Sequence, residues 1–181
     1  KLRRELEALQ LEGPSAAALD KAWAQHGHAD RWIRFAARTA VEFQPVATWA
    51  QRALEEKNPA AAIQALLALS RTAAKDHQMW ILAALGRIDH SALAEPAKLD
   101  LIRTYAVCLV RGGMPDEAAR AAIRARFEPQ FPASSDALNK ELCDLLCAVG
   151  SPGVVPRAIQ LLTTARDDAN QHAEEQLIAR N

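Results

Sequence analysis

The feature that most constrains this chain is its punctuation. "EGPS" at 12–15, "HGHA" at 26–29, "QP" at 44–45, "NP" at 58–59, "GG" at 112–113, "EPQFPASS" at 128–135 and "GSPG" at 150–153 cut the sequence into short pieces. Between these breaks the apolar residues recur with the period of a helix. In 30–43, Trp32, Ile33, Ala36, Ala37, Ala40 and Val41 fall at i, i+1, i+4, i+5, i+8 and i+9, which is one broad apolar face. A chain punctuated this way forms many short helices. Its helices are limited to roughly 10–16 residues and must be joined by short loops.

The breaks carry helix-starting chemistry. Asn58-Pro59 pairs a side chain that can cap with a ring that suits the first helical turn, and Ser151-Pro152 repeats the device. Asp30 opens 30–43, and Gln44 precedes a proline and so leaves the helical region. These signals predict helices at about 1–11, 16–25, 30–43, 46–57, 59–73, 77–88, 96–111, 115–126, 136–148, 152–165 and 170–179. They pair as 16–25 with 30–43, 46–57 with 59–73, 77–88 with 96–111, 115–126 with 136–148, and 152–165 with 170–179. The second members recur at an imperfect period of about 30–40 residues, in the range of α-solenoid repeats. No pair can bury its own apolar face, so neighbours must stack. The rival arrangement is an irregular helical bundle.

Composition agrees with an all-α fold. Half of the 181 residues are hydrophobic but only 5% are aromatic, and alanine and leucine dominate. No segment alternates as a half-buried strand would. The length suits one domain, residues 1–181. Lys+Arg and Asp+Glu balance at 22 each, which argues against a nucleic-acid-binding domain, where phosphate neutralisation calls for a basic excess. No apolar run approaches the ~20 residues that cross a bilayer. The chain opens with "KLRREL" and closes with "EEQLIARN", both within helical patterns, and reads as a piece of a longer protein.

Two stretches, "HADRWIRFAARTAVEF" and "LNKELCDLLCAVGSPGVVPRAIQLL", resemble HEAT-like repeats. Together with "LRRELEAL", "QPVATWAQRALEEKNPAAAIQALLALSR" and "FPASSDA", they are similar to the helical segment of large secreted proteins of planctomycete and verrucomicrobial bacteria. In that family the segment lies beside a sugar-dehydrogenase-like β-propeller and a haem-binding c-type cytochrome domain. The resemblance implies a HEAT-like α-solenoid forming a right-handed superhelix of about 10–11 helices. It also implies a periplasmic or extracellular location, and redox chemistry that belongs to the parent rather than to this segment. The haem-attachment pattern Cys-x-x-Cys-His does not occur here.

Three clusters merit weighing. Arg31, Arg34 and Arg38 share one face of a helix beside Trp32. They can clamp phosphate or carboxylate, or they can be held by local pairs, Asp30 with Arg34 and Arg38 with Glu42. The paired reading is preferred, with Trp32 sharing the apolar face, and the three arginines remain the candidate surface contacts. Cys143 and Cys147 sit one turn apart in "CDLLC" and could hold a soft metal, but a structural zinc site wants four ligands. Core packing is preferred for them. His26 and His28 flank Gly27 in a turn that reads as a solvent-exposed loop. His77, His90 and His172 form no constellation. Trp23, Trp32, Trp49 and Trp80 read as gap-fillers between stacked pairs, one or two of them as partner anchors. No nucleophile triad, phosphate loop or metalloprotease motif is present.

The expected function is a non-catalytic scaffold that positions neighbouring domains or binds a partner protein, with no cofactor. Dimerisation through exposed terminal helices is the expected mode of self-association. The alternatives are nucleic-acid binding on a concave surface and, second, a metal-dependent enzyme using Cys143/Cys147 or His26/His28.

Overall fold

The computed structural model describes residues 1–11 and 13–164. Among them there are nine α-helices and no strand: α1 Leu2–Ala8, α2 Ala16–Trp23, α3 Arg31–Glu42, α4 Ala50–Glu55, α5 Pro59–Gly86, α6 Glu95–Gly112, α7 Glu117–Phe127, α8 Asp136–Ala148 and α9 Val154–Thr164. The expected helix at 170–179, and His172 with it, lies outside the described residues.

The predicted caps explain where most helices start. The side chains of Ser15, Asp30 and Asn58 accept from the backbone N–H of Ala18, Trp32 and Ala61. Two further caps are Asp116 for α7 and Ser135 for α8. Ser151 is different. Its hydroxyl donates to Glu128 Oε1 at 2.7 Å, and α9 begins only at Val154. The expected helix at 46–57 is also divided. A 3-10 turn at Val46–Thr48 precedes α4, and Trp49 sits between them at φ −137°, ψ −10°. Trp49 is completely buried and its Nε1 donates to the Gln44 carbonyl at 3.1 Å, so burying the indole takes the backbone off the helical path.

The helices expected at 59–73 and 77–88 abut without a loop. α5 runs from Pro59 to Gly86, but Ala73 inside it has φ −145° and ψ 31°. Arg87 donates to the carbonyl of Leu54, which precedes α5. In a straight helix of this length the two ends would lie about 40 Å apart. The contact therefore requires α5 to double back at Ala73 into two arms, 59–72 and 74–86. No Gly or Pro marks the reversal. Ser70 and Thr72 instead bond back to the carbonyls of Leu66 and Ala68, which bends helices.

Both α1 and α2 lie on α3, α4 lies on α5, α5 on α6 and α7 on α8, while the expected pair 152–165 with 170–179 falls partly outside the described residues. Neighbouring pairs also touch in chain order. α3 packs on α5, α5 on α6 and α6 on α8. Side-chain bonds follow the same line, from Arg71 to Glu42, from Gln64 to Asp100 and from Arg103 to Glu141. A second line of bonds joins the other helices: Arg52 to Asp20, Arg87 to Leu54, Arg126 to Gly86, and Arg157 to Glu128. One continuous apolar core runs between these lines, from Leu6 to Val154. Alanine fills much of it. Ala36, Ala37 and Ala40 of α3 and Ala62, Ala65 and Ala68 of α5 are all buried. Their small side chains let helix axes approach closely, and Trp49 and Phe127 fill the wider gaps.

Candidate functional site

α3 turns Ile33, Ala36, Ala37, Ala40 and Val41 inward. That rotation leaves Trp32 and Phe35 half exposed, at 51% and 53%. Trp32 thus stands outside the core, although it is adjacent to Ile33 in the apolar stripe. Arg31, Arg34 and Arg38 come together with these two aromatics on the wall of a cleft of about 370 Å³. Gln64 of α5 and Leu99, Asp100 and Arg103 of α6 form the opposite side. The sequence cluster is therefore a real surface feature that spans three helices.

Each arginine has a distinct setting. Arg31 stacks on Trp32, with its guanidinium carbon 4.5 Å from the ring centroid, and forms no ion pair among the described residues. Arg34 donates through one nitrogen to the carbonyls of His28 and Ala29, both at 2.9 Å. Its other terminal nitrogen lies 3.8 Å from Asp100 Oδ2. The expected Asp30–Arg34 pair does not form, because the Asp30 carboxylate is taken by the N–H of Trp32. Arg38 does meet Glu42, as expected, at 3.2 Å. That approach makes an ion pair without hydrogen-bond alignment, since Arg38 Nε has no hydrogen-bond partner. Glu42 also accepts from Arg71 Nε at 2.9 Å. Burial pulls the Arg38 guanidinium below its ordinary pKa, Glu42 opposes this, and Arg71 reinforces it.

Chemically, the cleft offers two aromatic faces edged by guanidinium groups. Such a surface grips planar and carboxylate-bearing groups. Much of its charge is already matched internally: Glu42 faces Arg38 and Arg71, Asp100 faces Arg34, and Glu141 faces Arg103. Only a modest positive field remains for phosphate.

The other candidates do not converge. His26 is completely buried rather than in a solvent-exposed loop, and its ring packs at a tilt against Trp23 with centroids 5.0 Å apart. Burial, partly opposed by Glu56 and aided by Arg38 and Arg52, lowers its pKa to about 4. His28 points elsewhere, accepting from the N–H of Asp30 through Nδ1. Cys108 is buried, Cys143 partly so, and Cys147 is exposed, so Cys147 is not a core residue. Among the described residues, no three His, Cys, Asp or Glu side chains are grouped to hold a metal ion. No described helix is long and apolar enough to cross a membrane.

Sequence reasoning missed a larger cleft of about 700 Å³, where the end of α5, α6, α7 and the loop before α8 meet. Lys98, His90 and Arg126 line it. Arg126 reaches it from 40 residues beyond Gly86, whose carbonyl it caps, and no local pattern announces such a meeting. No protein family, no curated protein and no solved structure was found to match the chain.

Proposed function

We propose that this chain is a non-catalytic scaffold, an α-solenoid of HEAT-like helix pairs, whose row of second helices receives a neighbouring domain or a partner protein. The carrying observation is the order of contacts. The second helix of each pair meets the second helix of the next, α3 to the first arm of α5, then α6, then α8. Stacking of this kind supports an extended surface built by repetition. The right-handed superhelix is the expected sense of that stack. The cleft of Arg31, Trp32, Phe35 and Arg38 lies on this row, and its exposed aromatics are of the type that anchor protein contacts. The internal pairing of its arginines favours a protein surface over a nucleic-acid backbone, where several unmatched cations would be needed. On this reading the periplasmic or extracellular placement and the redox domains belong to the parent protein.

Hydroxyl-radical footprinting tests the proposal. Trp32 and Phe35 should be oxidised readily in the isolated chain and protected in the full-length gene product. Equal oxidation in both would remove the docking face. A steeply salt-dependent affinity for duplex DNA, lost in Arg31→Ala, would favour the nucleic-acid reading instead.

A further inference from the structure

We infer that the cleft between the end of α5 and the loop preceding α8 is a binding site for a small amphipathic carboxylate, independent of the docking face. Its size, about 700 Å³, falls within the range of small-molecule sites. Its walls are of two kinds. Ile88, Ala133, Leu138 and Leu142 supply an apolar floor. Arg87, Lys98 and Arg126 bring three cations against one carboxylate, Asp89.

These charges are poorly matched within the fold. None of the three cations forms an ion pair among the described residues. Arg126 is committed to the carbonyls of Gly86 and Ile88, and Arg87 to that of Leu54. Lys98, half-buried on α6, makes no side-chain hydrogen bond among the described residues, and its ammonium is the group free to meet an anion. Asp89 is occupied by the hydroxyl and amide of Ser91.

The wall is also incompletely satisfied. His90 Nε2, Arg126 Nε and Gln130 Oε1 are buried without hydrogen-bond partners, and all three residues line this one cleft. Natural folds leave few such atoms, and each costs stability. They lie behind the surface of the cleft, two of them on residues whose other polar atoms are already bonded, Arg126 to Gly86 and Ile88 and Gln130 to Arg126. Burial, with Lys98 and Arg126 adding to it, lowers the pKa of His90, which leaves the imidazole neutral and the cationic character with Lys98 and the arginines.

The ligand chemistry follows. A carboxylate meets Lys98, and an apolar body lies against Ala133 and the small exposed margins of Ile88 and Leu138. Inorganic phosphate has the charge but no apolar part, so it tests whether the floor matters.

Titration of the isotopically labelled chain with phenylacetate, hexanoate and inorganic phosphate, followed by amide NMR, decides the matter. Phenylacetate or hexanoate should bind with a Kd on the order of 1 mM and shift the amides of Gly86, Ser91, Ala133 and Ser134. Phosphate should bind at least about tenfold more weakly. Lys98→Met keeps the apolar stem and should weaken carboxylate binding by about tenfold or more. Ser134→Trp, at the exposed rim, should block the cleft without disturbing the core, as an unchanged circular dichroism spectrum would show. Absence of shifts with either carboxylate, equal affinity for phosphate, or undiminished binding in both variants would each overturn the proposal. Loss of this binding leaves the docking-face protection at Trp32 untouched, so the two readings fail separately.

Discussion

His26 should make the stability of this protein fall between pH 7 and pH 4. The imidazole is completely enclosed and both ring nitrogens lack partners. Its pKa drops from 6.5 to about 4, first through burial, with Arg38 and Arg52 disfavouring the charge and Glu56 favouring it. The unfolded chain therefore takes up the proton first as pH falls. His26 costs the fold nothing above pH 7.5 or so. Stability declines below the unfolded pKa and levels off beneath the folded one. By linkage the loss is about 2 kcal/mol at pH 5 and approaches ~3 kcal/mol at pH 4. Other groups titrate in the same window, Glu56 among them, since its folded pKa is also lowered. The quantity to read is thus the difference between the native chain and His26→Leu in urea unfolding, from pH 8 to pH 4. The leucine variant should lack this component and gain on the native chain as pH falls. Parallel stability curves, or an NMR titration of His26 centred near 6.5, would refute the reasoning.

Other outcomes follow from the same structure. A thiol reagent should modify Cys147 first and Cys143 more slowly, since burial and the neighbouring Cys147 raise the Cys143 pKa; Cys108, raised to about 11 by burial, should react only on unfolding. Trp49→Ala should cost about 3–5 kcal/mol in chemical denaturation, because the indole is fully enclosed and bonded to Gln44. Glu42→Ala should destabilise by about 2 kcal/mol or more, by leaving the largely buried Arg38 without its counter-charge. Gly113→Ala should lower stability by about 1 kcal/mol, since its φ of +91° disfavours any side chain.

Local chemistry was legible in the sequence. Ser15, Asp30 and Asn58 cap where their positions suggest, and the breaks at 44–45, 112–113 and 150–153 end helices as expected. Orientation was less legible. Trp32 and Ile33 are neighbours at the edge of one apolar stripe, and periodicity alone does not decide which of them reaches the core. His26 was obscured by its polar turn. Yet it follows Trp23 by three residues and Leu19 by seven, and that continuation of a buried stripe was a usable signal. The clefts were invisible because their walls meet only through tertiary packing. Arg126 stands 40 residues from Gly86, about one repeat away, and Asp100 about two repeats from Arg34, but an imperfect period does not say which side chains meet.

The reversal at Ala73 has a mechanical consequence. Because one residue makes the reversal, a substitution at Ala73 acts on both arms at once, on the first arm's bond to Glu42 and on the bond from Arg87, just past the second, to Leu54. A protease or an inserted peptide finds easier entry at the largely exposed connection 87–94 than at 128–135, which Asn139 and Arg157 hold to the neighbouring helices.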